Sequence, residues 1–99
     1  MHEHGLAREL WPQLKQIAET NEYVKVTRVD MTVGSLHGVS ADFLAHSFEH
    51  AFEGTYFEGA EMNITVVDPE QEVELPGQAP DKAGGWELLI TRMDGDTPG

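Results

Sequence analysis

Tyr23-Val24-Lys25-Val26-Thr27-Arg28-Val29-Asp30-Met31-Thr32-Val33 is rich in β-branched residues and alternates in polarity, the pattern of a half-buried strand. Its parity changes along the way. Val24 and Val26 share one parity, while Val29, Met31 and Val33 share the other, so a bulge near Thr27-Arg28, or burial of both faces at different points, is expected. A strand of this kind needs neighbours. The residues on either side of it determine what they are.

Upstream, Leu6, Leu10, Leu14, Ile17 and Ala18 recur every three to four residues and predict one helical stripe over residues 4–20. Pro12 interrupts it, at a cost of about 3 kcal/mol inside a helix. Either one helix bends there, or an ordered helix starts near Trp11 with Pro12 in its first turn. The stripe keeps its phase across the proline, which favours the single helix. Downstream, Gly34 to Val39 is a turn, Ser40 is a helix N-cap and Asp42 suits the positive end of a helix. Phe43, Leu44, Phe48, Ala51 and Phe52 form its apolar face, and Gly54 is placed to end it in the left-handed conformation. Met62, Ile64 and Val66 alternate as a second strand; Trp86, Leu88 and Ile90 give a third, ending near Met93. Between them lie Pro69, Pro76, Pro80, Gly77, Gly84 and Gly85, so 69–85 reads as a loop or arm. Residues 95–99 read as a polar tail. The order α-β-α-β-β, with two helices packed on a small three-stranded sheet, is an α+β fold in one domain of residues 1–94.

The chain has 99 residues and a formal charge of −12. Such acidity repels phosphate backbones and anionic membrane surfaces, so neither nucleic acid nor membrane is an expected partner. No apolar run approaches the ~20 residues of a membrane helix, and Met1-His2-Glu3-His4 lacks the features of a secretory signal. There is no cysteine. Thiolate catalysis and every cysteine-based zinc site are thereby excluded. A cytoplasmic location fits this composition.

No catalytic constellation emerges: Ser35, Ser40 and Ser47 lack a nucleophile elbow, and no glycine-rich phosphate loop follows a strand. The chain is not expected to be an enzyme. Five histidines carry more information. His46 and His50, at i and i+4, can share an ion in principle. They lie, however, with Asp42, Glu49 and Glu53 on the side opposite the apolar stripe, the ordinary solvated face of a helix, and so read as dispensable for metal binding. His37 sits in a glycine-flanked turn with no evident partner. His2 differs. Next to a free α-amine it offers the amine, its own amide and its imidazole, and the amide of Glu3 can supply a fourth nitrogen. Four nitrogens in a plane suit Ni(II) or Cu(II).

Met1-His2-Glu3, the first helix and then Val29-Asp30-Met31-Thr32-Val33-Gly34-Ser35-Leu36-His37-Gly38-Val39 resemble the HypA/HybF family of hydrogenase-maturation nickel chaperones. So do Phe43-Leu44 through Phe48-Glu49 to Gly54-Thr55, Glu58-Gly59-Ala60-Glu61-Met62-Asn63-Ile64, and Glu87-Leu88-Leu89-Ile90. The resemblance implies an α+β nickel-binding domain holding Ni(II) through the Met1 amine, the His2 imidazole and the amides of His2 and Glu3. It implies two partners, a HypB-like GTPase and the large subunit of a [NiFe] hydrogenase. Family members carry a zinc domain with two Cys-x-x-Cys pairs between the last two strands; here residues 69–85 stand in its place, and no zinc is expected. Two further expectations complete the reading. The Phe43/Phe48/Phe52 face can serve a homodimer, and the competing function is a metal-independent acidic protein-interaction domain on the same fold.

Overall fold

The computed structural model describes residues 3–73 and 81–99 of the chain. Helix α1 spans Glu3–Thr20, strand β1 Lys25–Gly34, a 3-10 turn Ser35–His37, helix α2 Ala41–Phe52 and strand β2 Glu61–Val67. Two short strands follow, β3 at Glu72–Val73 and β4 at Asp81–Lys82, before the long β5 at Leu88–Asp96. The main sheet has the order β2-β1-β5, so the quoted stretch is its central strand. β1 runs parallel to β2 across an α2 crossover and antiparallel to β5. Both helices contribute to one core on the same sheet face, and the fold is α+β as expected.

The parity change in β1 is a bulge. Val26 pairs with Gly95 and Arg28 with Asp94, leaving Thr27 as the extra residue. The opposite irregularity lies four residues on, where Asp30 pairs with Arg92 and Met31 with Ile90, so that Thr91 is extra in β5. Each bulge flips the side-chain alternation of its own strand. Val26, Val29, Met31 and Val33 therefore all enter the core, and Leu88, Ile90 and Met93 all pack against it. Three rows cross the sheet on this side: Met62–Val29–Met93, Ile64–Met31–Ile90 and Val66–Val33–Leu88.

Helix α1 is continuous through Pro12. Its stripe of Leu6, Ala7, Leu10, Leu14 and Ala18 is almost fully buried, whereas Pro12 lies on the exposed side. There the Arg8 carbonyl that loses its helical partner can turn to water, which limits the cost of the proline. Trp11 lies tilted against Phe52 at 5.8 Å and edge-on to Phe57 at 5.0 Å. These rings join α1 to the end of α2 and to the turn that follows.

Helix α2 is capped by Ser40, whose Oγ accepts from the Phe43 amide at 3.5 Å. Its buried side chains are Leu44, Ser47, Phe48 and Phe52. Phe43, expected on this face, is 66% exposed, and Ala51 is exposed too. At about 100° per residue Phe43 falls roughly 140° from Phe48, on the far side of the helix. The expected Phe43/Phe48/Phe52 dimer face does not exist as such, because Phe48 and Phe52 are spent in the core. Helix α2 ends without the expected left-handed cap: Glu53 is the C-cap at φ −56°, ψ 131°, and Gly54, left-handed at φ 74°, follows it in a turn closed by the Thr55 N–H on the Phe52 carbonyl.

Two other boundaries differ from the sequence reading. Trp86 precedes β5 and is exposed, so the third strand starts at Leu88. β5 runs on to Asp96, paired with Lys25, so only 97–99 of the expected tail lies beyond the sheet. Within 69–85, Glu72 pairs with Lys82 and Val73 with Asp81, a hairpin extended by the reciprocal backbone bonds of Glu70 and Gln71 with Ala83. Leu75, Pro76, Gly77 and Pro80 lie outside the described residues.

Candidate metal centre

The ligand set expected from sequence is Met1, His2 and Glu3. Met1 and His2 lie outside the described residues, while Glu3 is the first residue of α1. Its position matters because the first backbone N–H groups of a helix have no intrahelical acceptor. The Glu3 amide is therefore not consumed by helix formation. One turn on, Ala7, Arg8 and Trp11 face Ser47, His50 and Ala51 across an open groove of about 380 Å³. The second and third turns of α1 thus pack against the second half of α2.

On α2 the exposed side chains His46 and His50 are brought together, their ring centroids 4.8 Å apart and their planes at 87°. His46 Nδ1 stands 3.8 Å from Glu49 Oε2, and His50 Nδ1 stands 3.2 Å from Glu53 Oε1. Among the described residues, no three histidine, aspartate or glutamate side chains are grouped to hold one ion.

His37 has the partner that its sequence context concealed. Its Nε2 lies 3.1 Å from the Trp86 carbonyl, and its ring meets the Trp86 ring edge-on at 5.4 Å. The same corner joins the turn after β1 to the segment before β5. Gly34 donates its N–H to the Glu87 carbonyl at 2.8 Å, and Leu36 donates to the Gly85 carbonyl at 2.9 Å. Glu87 closes it from within, accepting from the amides of Gly84 and Gly85 at 2.8 and 2.9 Å. Desolvation disfavours its charge, but the backbone amides of Gly84, Glu87 and Gly85, aided by His37, outweigh it and hold the carboxyl below its ordinary range. Sequence reasoning missed this corner. The contacts join residues some fifty apart, and the Gly-Gly pair before Trp86-Glu87 was the one local sign of a close approach.

The sheet face turned away from the helices is a lattice of charges. Arg28 donates from Nε and Nη2 to the two carboxylate oxygens of Asp30, each at 2.9 Å, and Arg92 pairs with Asp94 at 2.9 Å. Asn63 donates to both Asp30 and Glu61 at 2.8 Å. The Arg28 hydrogen bonds outweigh burial and, with Asn63 and Arg92, hold the Asp30 carboxyl below its usual value.

Together these features define a small acidic α+β domain. Its mixed three-stranded sheet carries two helices, the first of which begins at Glu3. Known proteins share this plan. Residues 1–74 match the family model HypA, described as hydrogenase/urease nickel incorporation, metallochaperone. A hydrogenase maturation factor HypA of Nitrosospira multiformis is 38% identical over 95 residues, covering 96% of this chain and 81% of the relative. That of Rhodobacter capsulatus is 33% identical over 79 residues, covering 80% of this chain and 63% of the relative. The solution structure of the Ni metallochaperone HypA from Helicobacter pylori superposes with a TM-score of 0.67 at 16% identity, covering 99% of this chain and 100% of that one. The chain belongs to the HypA family.

Proposed function

We propose that the chain is a nickel-binding metallochaperone that assists maturation of a [NiFe] hydrogenase, carrying Ni(II) as cargo at Met1-His2-Glu3. The ligands are the Met1 amine, the His2 imidazole and the backbone amides of His2 and Glu3. The observation that carries this reading is the start of α1 at Glu3, inside the stretch matched to the nickel-incorporation family. An amide at the first helical position can lose its proton to a metal without breaking a helical hydrogen bond. Two deprotonated amides, an amine and an imidazole form a planar four-nitrogen set that suits a d⁸ ion. Glu3 serves mainly through its backbone.

Nickel then leaves by ligand exchange in a complex with its recipients, a HypB-like GTPase and the hydrogenase large subunit, in the cytoplasm. A chain with no cysteine cannot build the family's thiolate zinc site, so its fold stands without zinc. The activity is binding and transfer of cargo, not catalysis.

The test is Ni(II) titration of two proteins, one with a free Met1 amine and one extended at the N-terminus. The free-amine form should give a diamagnetic yellow complex that releases protons as it forms and weakens as pH falls, because protons compete for all four nitrogens. His2→Ala should weaken binding severely at unchanged far-UV CD. A yellow low-spin complex formed equally well by both proteins would refute the terminal site, and no nickel binding by the free-amine protein would leave the acidic surface as a metal-independent docking module.

A further inference from the structure

We infer that α2 carries a second site for a divalent transition-metal ion, formed by the imidazoles of His46 and His50. Sequence reading alone places these residues on a solvated helix face and makes them dispensable for metal. Their arrangement in three dimensions points elsewhere. Residues at i and i+4 rise one above the other on a helix, and the two rings are in contact at 4.8 Å. Two histidines at this spacing on one helix face form a recurrent zinc-binding pair.

The carboxylates add a second, independent sign. Each imidazole has a glutamate three residues on, with a carboxylate oxygen 3.8 Å from His46 Nδ1 and 3.2 Å from His50 Nδ1. These carboxylates, Glu49 and Glu53, place negative charge beside both rings, which favours a cation bound between them. Among the described residues neither Nε2 has a hydrogen-bond partner, in contrast to His37, whose Nε2 lies against the Trp86 carbonyl.

The rings are 64% and 60% exposed at the side chain, so an ion bound there keeps water in its remaining positions. Two protein ligands make an exchangeable site rather than a structural one. Borderline ions that favour imidazole, Ni(II), Cu(II) and Zn(II), fit it, and the net charge of −12 raises the local concentration of any cation. Its place in the fold gives it a use. His50 lines the groove whose other wall is Ala7, Arg8 and Trp11, and the start of α1 is one turn away. An ion held loosely here waits beside the first helix.

The experiment uses the full chain with an N-terminal extension, which removes the free amine and with it the four-nitrogen terminal site. Ni(II) titrated into it should bind at one equivalent and broaden the ring-proton resonances of His46 and His50 before those of His37. His46→Ala/His50→Ala in the same background should reduce affinity at least tenfold. Far-UV CD should be unchanged, since both side chains are exposed. Glu49→Gln/Glu53→Gln should weaken binding by a smaller factor, as support groups do. Absence of binding to the extended chain, unaltered affinity in the double histidine variant, or broadening centred on another histidine would overturn the inference. A failure of the terminal site looks different: the free-amine chain would then bind no more ions than the extended one, with the α2 result intact.

Discussion

Replacing Gly34 by alanine should unpin the corner that holds the end of β1 to the start of β5. A Cβ built on Gly34 stands 2.0 Å from the Gly85 carbonyl oxygen, 2.1 Å from its carbon and 2.5 Å from the Trp86 nitrogen. All three are backbone atoms, so no side chain can swing aside. To reach ordinary contact the segment 84–87 must retreat by more than 1 Å. That movement breaks the bonds from Gly34 to Glu87 and from Leu36 to Gly85, and the contact of His37 with the Trp86 carbonyl. At about 0.5–1.5 kcal/mol for each of the three, the loss is about 1.5–4.5 kcal/mol. At about 4–8 °C per kcal/mol for a domain of this size, it lowers Tm by roughly 6–36 °C. Gly38→Ala is the control. Gly38 is left-handed at φ 69° with nothing within 4 Å of an added Cβ, so the same chemical change there costs only backbone strain, about 1 kcal/mol. Urea unfolding followed by far-UV CD measures both. A Gly34→Ala protein within about 0.5 kcal/mol of the parent, the range of a neutral surface change, would refute the close-approach reasoning.

Phe48→Ala should cost about 3–5 kcal/mol, as truncation of a fully buried ring does, while Phe43→Ala should stay within about 0.5 kcal/mol; similar losses at both positions in urea melts would contradict the assigned helix face. Asp30 and Glu87 are both held below their ordinary values, so each binds fewer protons in the fold than in the unfolded chain. The stability they contribute is complete above about pH 5 and is lost as pH falls through the folded values. Asp30→Asn should therefore destabilise more at pH 7 than at pH 3, and equal effects at the two pH values would show that the Arg28 pair contributes nothing. A chelator should leave the far-UV CD of the chain unchanged, because no thiolate set couples zinc to folding; collapse of the signal would reveal a structural ion.

The elements themselves were legible in the residues. Spacings of three to four placed α1 and α2, alternation placed β1, and the parity break at Thr27-Arg28 announced a bulge that pairing confirms. These signals are local, since a helix or strand buries one face and its own sequence must repeat with that face. The absence of cysteine likewise excluded thiolate chemistry without reference to any coordinates. The resemblance in Met1-His2-Glu3 and the blocks after it named a family that the comparisons show.

Tertiary structure decided which apolar residues are core and which histidines have partners. Phe43 and Phe48 have the same composition and sit on the same helix, yet one is exposed because α1 and the sheet cover only the other side. The second bulge, at Thr91, is visible only against the partner strand. The corner of Gly34, His37, Gly85 and Glu87 depends on two segments meeting after a long excursion of the chain, and the His46–His50 contact depends on rotamers that no spacing rule specifies. Periodicity records what an element does to itself. Contacts between elements are set by how the whole chain shares one small core, and that information is not written in any single stretch of it.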